Sequence, residues 1–97
     1  MLLSFSINGV PIRLTPERWS HISHRHPELR GKEQHVLNAI ASPDMIQKGD
    51  VGTLMAIRKS NDKYLVVVYK EISETDGFVI TAYYTKILRR RMVVWKR

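Results

Sequence analysis

Apolar residues change their spacing near residue 42. Before it they recur at helical intervals behind one short alternating stretch, and beyond residue 53 they alternate or run together as strands do. The first alternation, Ser4-Phe5-Ser6-Ile7 and Val10-Pro11-Ile12-Arg13 around Asn8-Gly9, predicts an N-terminal hairpin. The dipeptide would supply the positive φ angles of a tight turn, and Pro11 suits an edge strand. Thr15-Pro16-Glu17 then opens a helix: a hydroxyl N-cap, a proline where no N–H is needed, and an acid at the positive end of the dipole. This helix turns Trp19 and Ile22 inward and ends near His26, because Pro27 disfavours α geometry in the residue before it.

Val36, Leu37 and Ile40 form the stripe of a second helix, from about Lys32 to Ala41, closed by Ser42-Pro43-Asp44. Strands are predicted over Thr53–Lys59, Tyr64–Lys70 and Phe78–Thr85, with turns at Asn61-Asp62 and around Thr75-Asp76-Gly77. If Asn61-Asp62 is a two-residue turn, Arg58 lies opposite Leu65 and shares a face with Val67 and Tyr69. Alternation in the last strand puts Phe78, Ile80, Ala82 and Tyr84 on one side and Val79, Thr81, Tyr83 and Thr85 on the other. Helices followed by a run of strands is an α+β order, in a single domain over residues 1–97 with a basic C-terminal segment 86–97. In that segment Val93-Val94-Trp95 is strand-like, and the tail either ends the sheet or packs across it.

The composition of the 97 residues, 43% hydrophobic and 26% charged, suits a globular domain. With no cysteine there is no disulfide scaffold, thiol nucleophile or thiolate zinc site, which fits a reducing compartment, by default the cytoplasm. The N-terminus reads as a strand and not as a signal peptide, and no stretch is apolar enough to cross a bilayer. The net charge of +7 is uneven. Residues 77–97 hold no Asp or Glu but six cations, Lys86, Arg89, Arg90, Arg91, Lys96 and Arg97, whereas the first 76 residues carry ten Lys/Arg against nine Asp/Glu. Such an end attracts a polyanion such as RNA in a salt-dependent way; the alternative is a solvated, solubilising tail. Without a long amphipathic helix beside Arg89-Arg90-Arg91, an anionic membrane is the weaker partner.

The densest polar cluster is His21-Ile22-Ser23-His24-Arg25-His26. On a helix Arg18, His21 and Arg25 share a stripe, while His26 points nearer the Trp19/Ile22 side. Two imidazoles and a guanidinium suit metal-independent phosphodiester cleavage. One imidazole takes the proton of a 2′-hydroxyl, the other protonates the leaving 5′-oxygen, and arginine stabilises the charge at phosphorus. That nucleophile would make the substrate RNA. The alternative is that the histidines are only exposed or bonded to free helix carbonyls. His35, alone on the second helix, reads as surface. His21 and His24 have the spacing of two zinc ligands, but no third ligand fits, so neither metal nor cofactor is expected. Thr81, Tyr83 and Thr85 offer hydroxyls to phosphate, with Arg58 and Lys70 as strand cations, though Thr and Tyr are favoured in any strand. Trp95 is either a stacking platform or core.

Trp19-x-His21-Ile22-x-x-x-His26-Pro27-Glu28-Leu29, Pro43-Asp44, Tyr64–Lys70 and Phe78–Thr85, in that order, resemble the phage-associated barnase/EndoU/colicin/RelE-like nuclease group over residues 15–85. The resemblance implies N-terminal helices packed on a roughly four-stranded antiparallel sheet. It also implies a metal-independent endoribonuclease, in many members a toxin. Carried onto this chain, the matching positions are His21 and His26, Arg58 as strand cation, and Thr81 and Tyr83. Arg18, Arg25, Lys70, Thr85, Lys86, Arg89, Arg90 and Arg91 are then the expected RNA contacts. The basic tail lies outside the match, as an RNA grip or the seat of an acidic neutralising partner. A non-catalytic RNA-binding or partner-binding module on the same fold is the rival reading.

Overall fold

Each helix begins and ends where local chemistry requires. In the computed structural model, which describes all 97 residues, α1 spans Pro16–Arg25. The Thr15 hydroxyl accepts from the Arg18 amide at 3.1 Å, and His26, ahead of Pro27, caps the other end. A short 3-10 turn, Pro27–Leu29, leads to α2, Glu33–Ala41. The expected stripe of α2 is buried, and Ala39 widens it.

The chain is α+β, but its sheet has seven strands where about four were expected. They are β1 (Leu2–Phe5), β2 (Pro11–Leu14), β3 (Met45–Lys48), β4 (Leu54–Ser60), β5 (Lys63–Ser73), β6 (Asp76–Thr85) and β7 (Val93–Lys96), in the order β1-β2-β6-β5-β4-β3-β7. Both termini extend the sheet. The N-terminal hairpin joins it through β2, which runs parallel to β6, and the tail supplies the opposite edge through β7. All other pairings are antiparallel. The parallel seam is tight: a Cβ on Gly77 would lie 2.6 Å from Ile12 Cδ1 and from the Lys70 carbonyl oxygen, so only glycine fits there.

Two turns differ from each other. Asn61-Asp62 is the expected two-residue turn, with Asn61 at φ 57°, and it pairs Arg58 with Leu65. At the N-terminal hairpin only Gly9 has positive φ; the Ser6 amide donates to the Val10 carbonyl and the Gly9 amide to the Ser6 carbonyl, both at 2.9 Å. The loop is therefore three residues long with a left-handed glycine, not a tight Asn-Gly turn. The alternation expected in β6 is also broken. Val68 pairs with Thr81 and Tyr69 with Val79, which leaves Ile80 as a bulge. Val79 consequently joins Ala82 and Tyr84 on one face, and Phe78 moves to the face of Thr81 and Tyr83.

The helices cover one face only. Fifteen buried residues make that core, among them Ile22, Leu29, Val36, Leu37 and Ile40 from the helical half and Ala56, Leu65, Val67, Tyr69, Val79 and Ala82 from the sheet. The Ser4 hydroxyl donates to the Leu37 carbonyl at 2.8 Å and ties β1 to α2. On the opposite face the buried set is Met55, Ile57 and Val66, with Tyr64, Val68, Tyr83 and Leu88 packed beside it. Residues 86–92 reach β7 by crossing this open face over β5, β4 and β3. Leu88 anchors the strap on the sheet, Gln47 Nε2 donates to the Arg89 carbonyl at 3.2 Å, and the Lys48 amide donates to the Met92 carbonyl at 2.8 Å. No helix is long and apolar enough to cross a membrane.

Candidate functional site at the basic end of the sheet

Charge is segregated along the strands. The end holding the β5–β6 turn is acidic and self-satisfied: Arg13 forks onto Asp76 at 2.8 and 3.1 Å, and Glu71 accepts from Ser6 at 2.5 Å and Asn8 at 3.1 Å. The opposite end holds the β4–β5 turn, the close of β6 and the chain leaving α1. There Arg58, Lys59, Lys63 and Lys86 flank the β4–β5 turn, and the Asp62 carboxylate in that turn is 3.8 Å from Lys86 alone. Net positive potential is thus concentrated at one end of one element.

On the open face at this end, β6 projects Tyr83 and Thr85, in rows with Val66 and Ile57 and with Tyr64 and Lys59. The strap roofs the same surface and leaves a cavity of about 360 Å³ floored by Met55, Val66, Tyr83 and Gln47 and walled by Arg89 and Arg91. This volume falls within the range of small-ligand sites. Arg91 Nη1 is 3.0 Å from Asp50 Oδ1, and its Nε is buried with no hydrogen-bond partner. The bond and the charge of Arg91 hold the Asp50 carboxyl below its ordinary range. Tyr83 belongs to a second contact as well, its ring centroid 6.1 Å from that of His26. Because β2 pairs with only the first residues of β6, the later part of β6 has a free edge, and the end of α1 brings His26 to it. His26 is half-buried, with Nδ1 3.8 Å from Glu28 Oε2, longer than a hydrogen bond.

Of the residues singled out in the sequence, His26 and Tyr83 are brought together. Thr81 follows Tyr83 on the open face, opposite Val68, but does not line the cavity. Arg58 is not with them. Its register with Leu65, and of Leu65 with Tyr84, puts it on the helix face, where Nη1 donates to the Ser42 carbonyl at 3.1 Å. The two-residue turn dictates this, since a side chain's face alternates strictly with register. His21 is exposed in a separate depression with Thr15, Glu17 and Arg18, so it does not form a pair with His26, and no three metal-ligating side chains converge.

Arg25 is exposed at the end of α1 and Arg90 on the strap, whereas Lys70 faces Phe78 and lies towards the acidic end. The Thr85 hydroxyl serves the chain itself, donating to the Ile87 carbonyl at 2.9 Å and accepting from the Ile87 amide. Gln47 is a lining residue that the sequence does not single out, since a four-residue strand ending in two adjacent polar positions carries no distinctive period. No protein-family model, curated protein or solved structure matches the chain.

Proposed function

We propose that this protein is a metal-independent endoribonuclease of the barnase/EndoU/colicin/RelE-like kind, with its reaction centre on the open face between His26, Tyr83 and the strap. The observation that carries the reading is the approach of His26 to Tyr83 at the rim of a cavity walled by Arg89 and Arg91. Imidazole exchanges protons near neutral pH and is placed to take the proton of an RNA 2′-hydroxyl. The 2′-oxygen forms a bond to phosphorus, and the bond from phosphorus to the 5′-oxygen breaks. Tyr83 gives its hydroxyl proton to that leaving oxygen, and the proton held by His26 returns to Tyr83 through water, which resets the site. The products are a 2′,3′-cyclic phosphate and a 5′-hydroxyl. The guanidinium charges of Arg89 and Arg91 stabilise the charge that builds on the phosphoryl oxygens.

The rival reading, an RNA-binding module without cleavage, draws support from the separation of His21 and Arg58 from His26. Incubation with total RNA in EDTA separates the two. The enzyme leaves cyclic phosphate ends and loses on the order of 10² to 10⁴ in rate in His26→Ala, the usual contribution of one acid or base. Salt-sensitive binding with RNA left intact would sink the catalytic reading and leave the binding one.

A further inference from the structure

Directly behind Tyr83, on the helix face, Tyr84 forms the floor of another hollow with different chemistry. It is lined by His35, Asn38, Arg58, Lys59, Ser60, Leu65 and Tyr84, and none of these is acidic. Two ammonium groups stand over the Tyr84 ring, Lys63 Nζ at 4.3 Å and Lys32 Nζ at 5.2 Å from its centroid, within cation–π range. The ring's π density attracts both ammonium groups and holds them near the hollow. No carboxylate lies within 4.0 Å of Lys32, Lys63, Lys59 or Arg58, whereas Arg13, Lys86, Arg91 and Arg97 each have one. The hollow is thus an electropositive concavity, with Arg58 in its lining, Lys63 and Lys32 bordering it at the Tyr84 ring, and no acidic residue in its wall. At about 140 Å³ it falls below the size of a small-ligand site, which suits a phosphate group and not a stacked nucleoside.

We propose that this hollow is a second phosphate-binding subsite, occupied by the backbone of the same single-stranded RNA whose scissile phosphate lies on the open face. The inference rests on the reading of that face as the RNA site. The two surfaces adjoin at one end of the sheet. Tyr83 and Tyr84 are consecutive and point to opposite faces, and Lys63 lies in the row next to Tyr64 and Thr85. A strand leaving the cavity past Thr85 and Lys59 therefore turns over the β4–β5 hairpin and meets Lys63, then Lys32. A rigid duplex cannot make that turn, so the substrate is single-stranded.

The test is fluorescence anisotropy with labelled 2′-O-methyl oligonucleotides, which lack the attacking hydroxyl, at about 4 and about 16 nucleotides. Lys32→Gln/Lys63→Gln should weaken binding of the longer strand by on the order of 10-fold. It should also lower the slope of log K against log salt by roughly 1.4, two contacts at about 0.7 each for a single strand. The shorter strand should bind as before, and Lys32→Arg/Lys63→Arg should keep the affinity for both. An equal loss at both lengths, or no loss, overturns the subsite. If the protein leaves RNA uncleaved but shows the length-dependent loss, the endonuclease reading falls and the subsite stands; cleavage without that loss overturns the subsite alone.

Discussion

The two faces of one sheet are finished in different ways. Beneath the helices fifteen buried residues interlock; Ser4 gives its hydroxyl to the Leu37 carbonyl there, and Arg58 reaches in at the basic end to the Ser42 carbonyl. Across the sheet three apolar residues and Gln47 are buried under a strap of irregular backbone, and the cavity left there is lined by Tyr83, Gln47, Arg89 and Arg91. A face closed by helices has its backbone groups satisfied within the helices and can be apolar throughout. A face closed by a strap must satisfy that strap's carbonyls from the sheet, which is the work of Gln47 and the Lys48 amide. Polar side chains therefore belong on the second face for structural reasons, and from there they are available to a ligand.

The largest test of this division is stability. Ile40→Ala on the helix face opens a cavity among residues that cannot collapse, and should cost about 2 to 5 kcal/mol. Leu88→Ala removes the strap's apolar anchor from a shallow, half-open cluster and should cost about 1 kcal/mol. Urea denaturation of both variants gives the comparison directly. Equal losses would mean that the strap is as much a part of the core as α2 is.

An intermediate effect probes the one misfit within the helix-side core. The Tyr69 hydroxyl is buried there without a hydrogen-bond partner, and burial, with Glu71 nearby, pushes its pKa above the ordinary 10.0. Leaving such a group unpaired costs about 1 to 3 kcal/mol, so Tyr69→Phe should hold or raise stability. The sign with pH follows. The folded state holds the phenolic proton more tightly than the unfolded chain does. The Tyr69 contribution is therefore constant below pH 10 and is lost as pH rises from there towards the folded value. Alkaline unfolding should come later in Tyr69→Phe than in the parent, and an unchanged alkaline limb would show that the hydroxyl has found a partner.

What was legible in the chain tracks how local its cause is. Thr15-Pro16, the α2 stripe and the Asn61-Asp62 turn are short-range signals, and each stands where it was expected. The faces of Phe78 and Val79 were not legible, because the bulge at Ile80 arises from pairing with β5. Nor was β3, four residues too short to show a period, whose second partner, β7, lies at the far end of the chain. The candidate site shows the same pattern. His26 and Tyr83 stand out as residue types, but Arg58 was grouped with Tyr83 through the family resemblance, and no local feature fixes the register of β6 on β5 that would have separated them. The β5–β6 connection decides it, and it places Arg58 beside Tyr84.

The smallest effect concerns the strap's tether. Arg91 reaches Asp50 on the β3–β4 loop, and its bond and charge lower the pKa of that carboxyl in the folded protein. A depressed carboxylate contributes stability that is present above its unfolded value, near 3.8, and is lost as pH falls through the folded one. Both partners reach solvent and the pair is screened, so the tether should bear on the position of the strap more than on global unfolding. Asp50→Asn should speed amide exchange at Lys48, whose N–H donates to the Met92 carbonyl and joins β3 to the strap, with β5 and β6 unaffected. The difference from the parent should close below pH 3.8, as the parent's own carboxylate is neutralised. If faster exchange spreads to β5, the strap is holding the sheet together, and the two faces depend on each other more than their packing indicates.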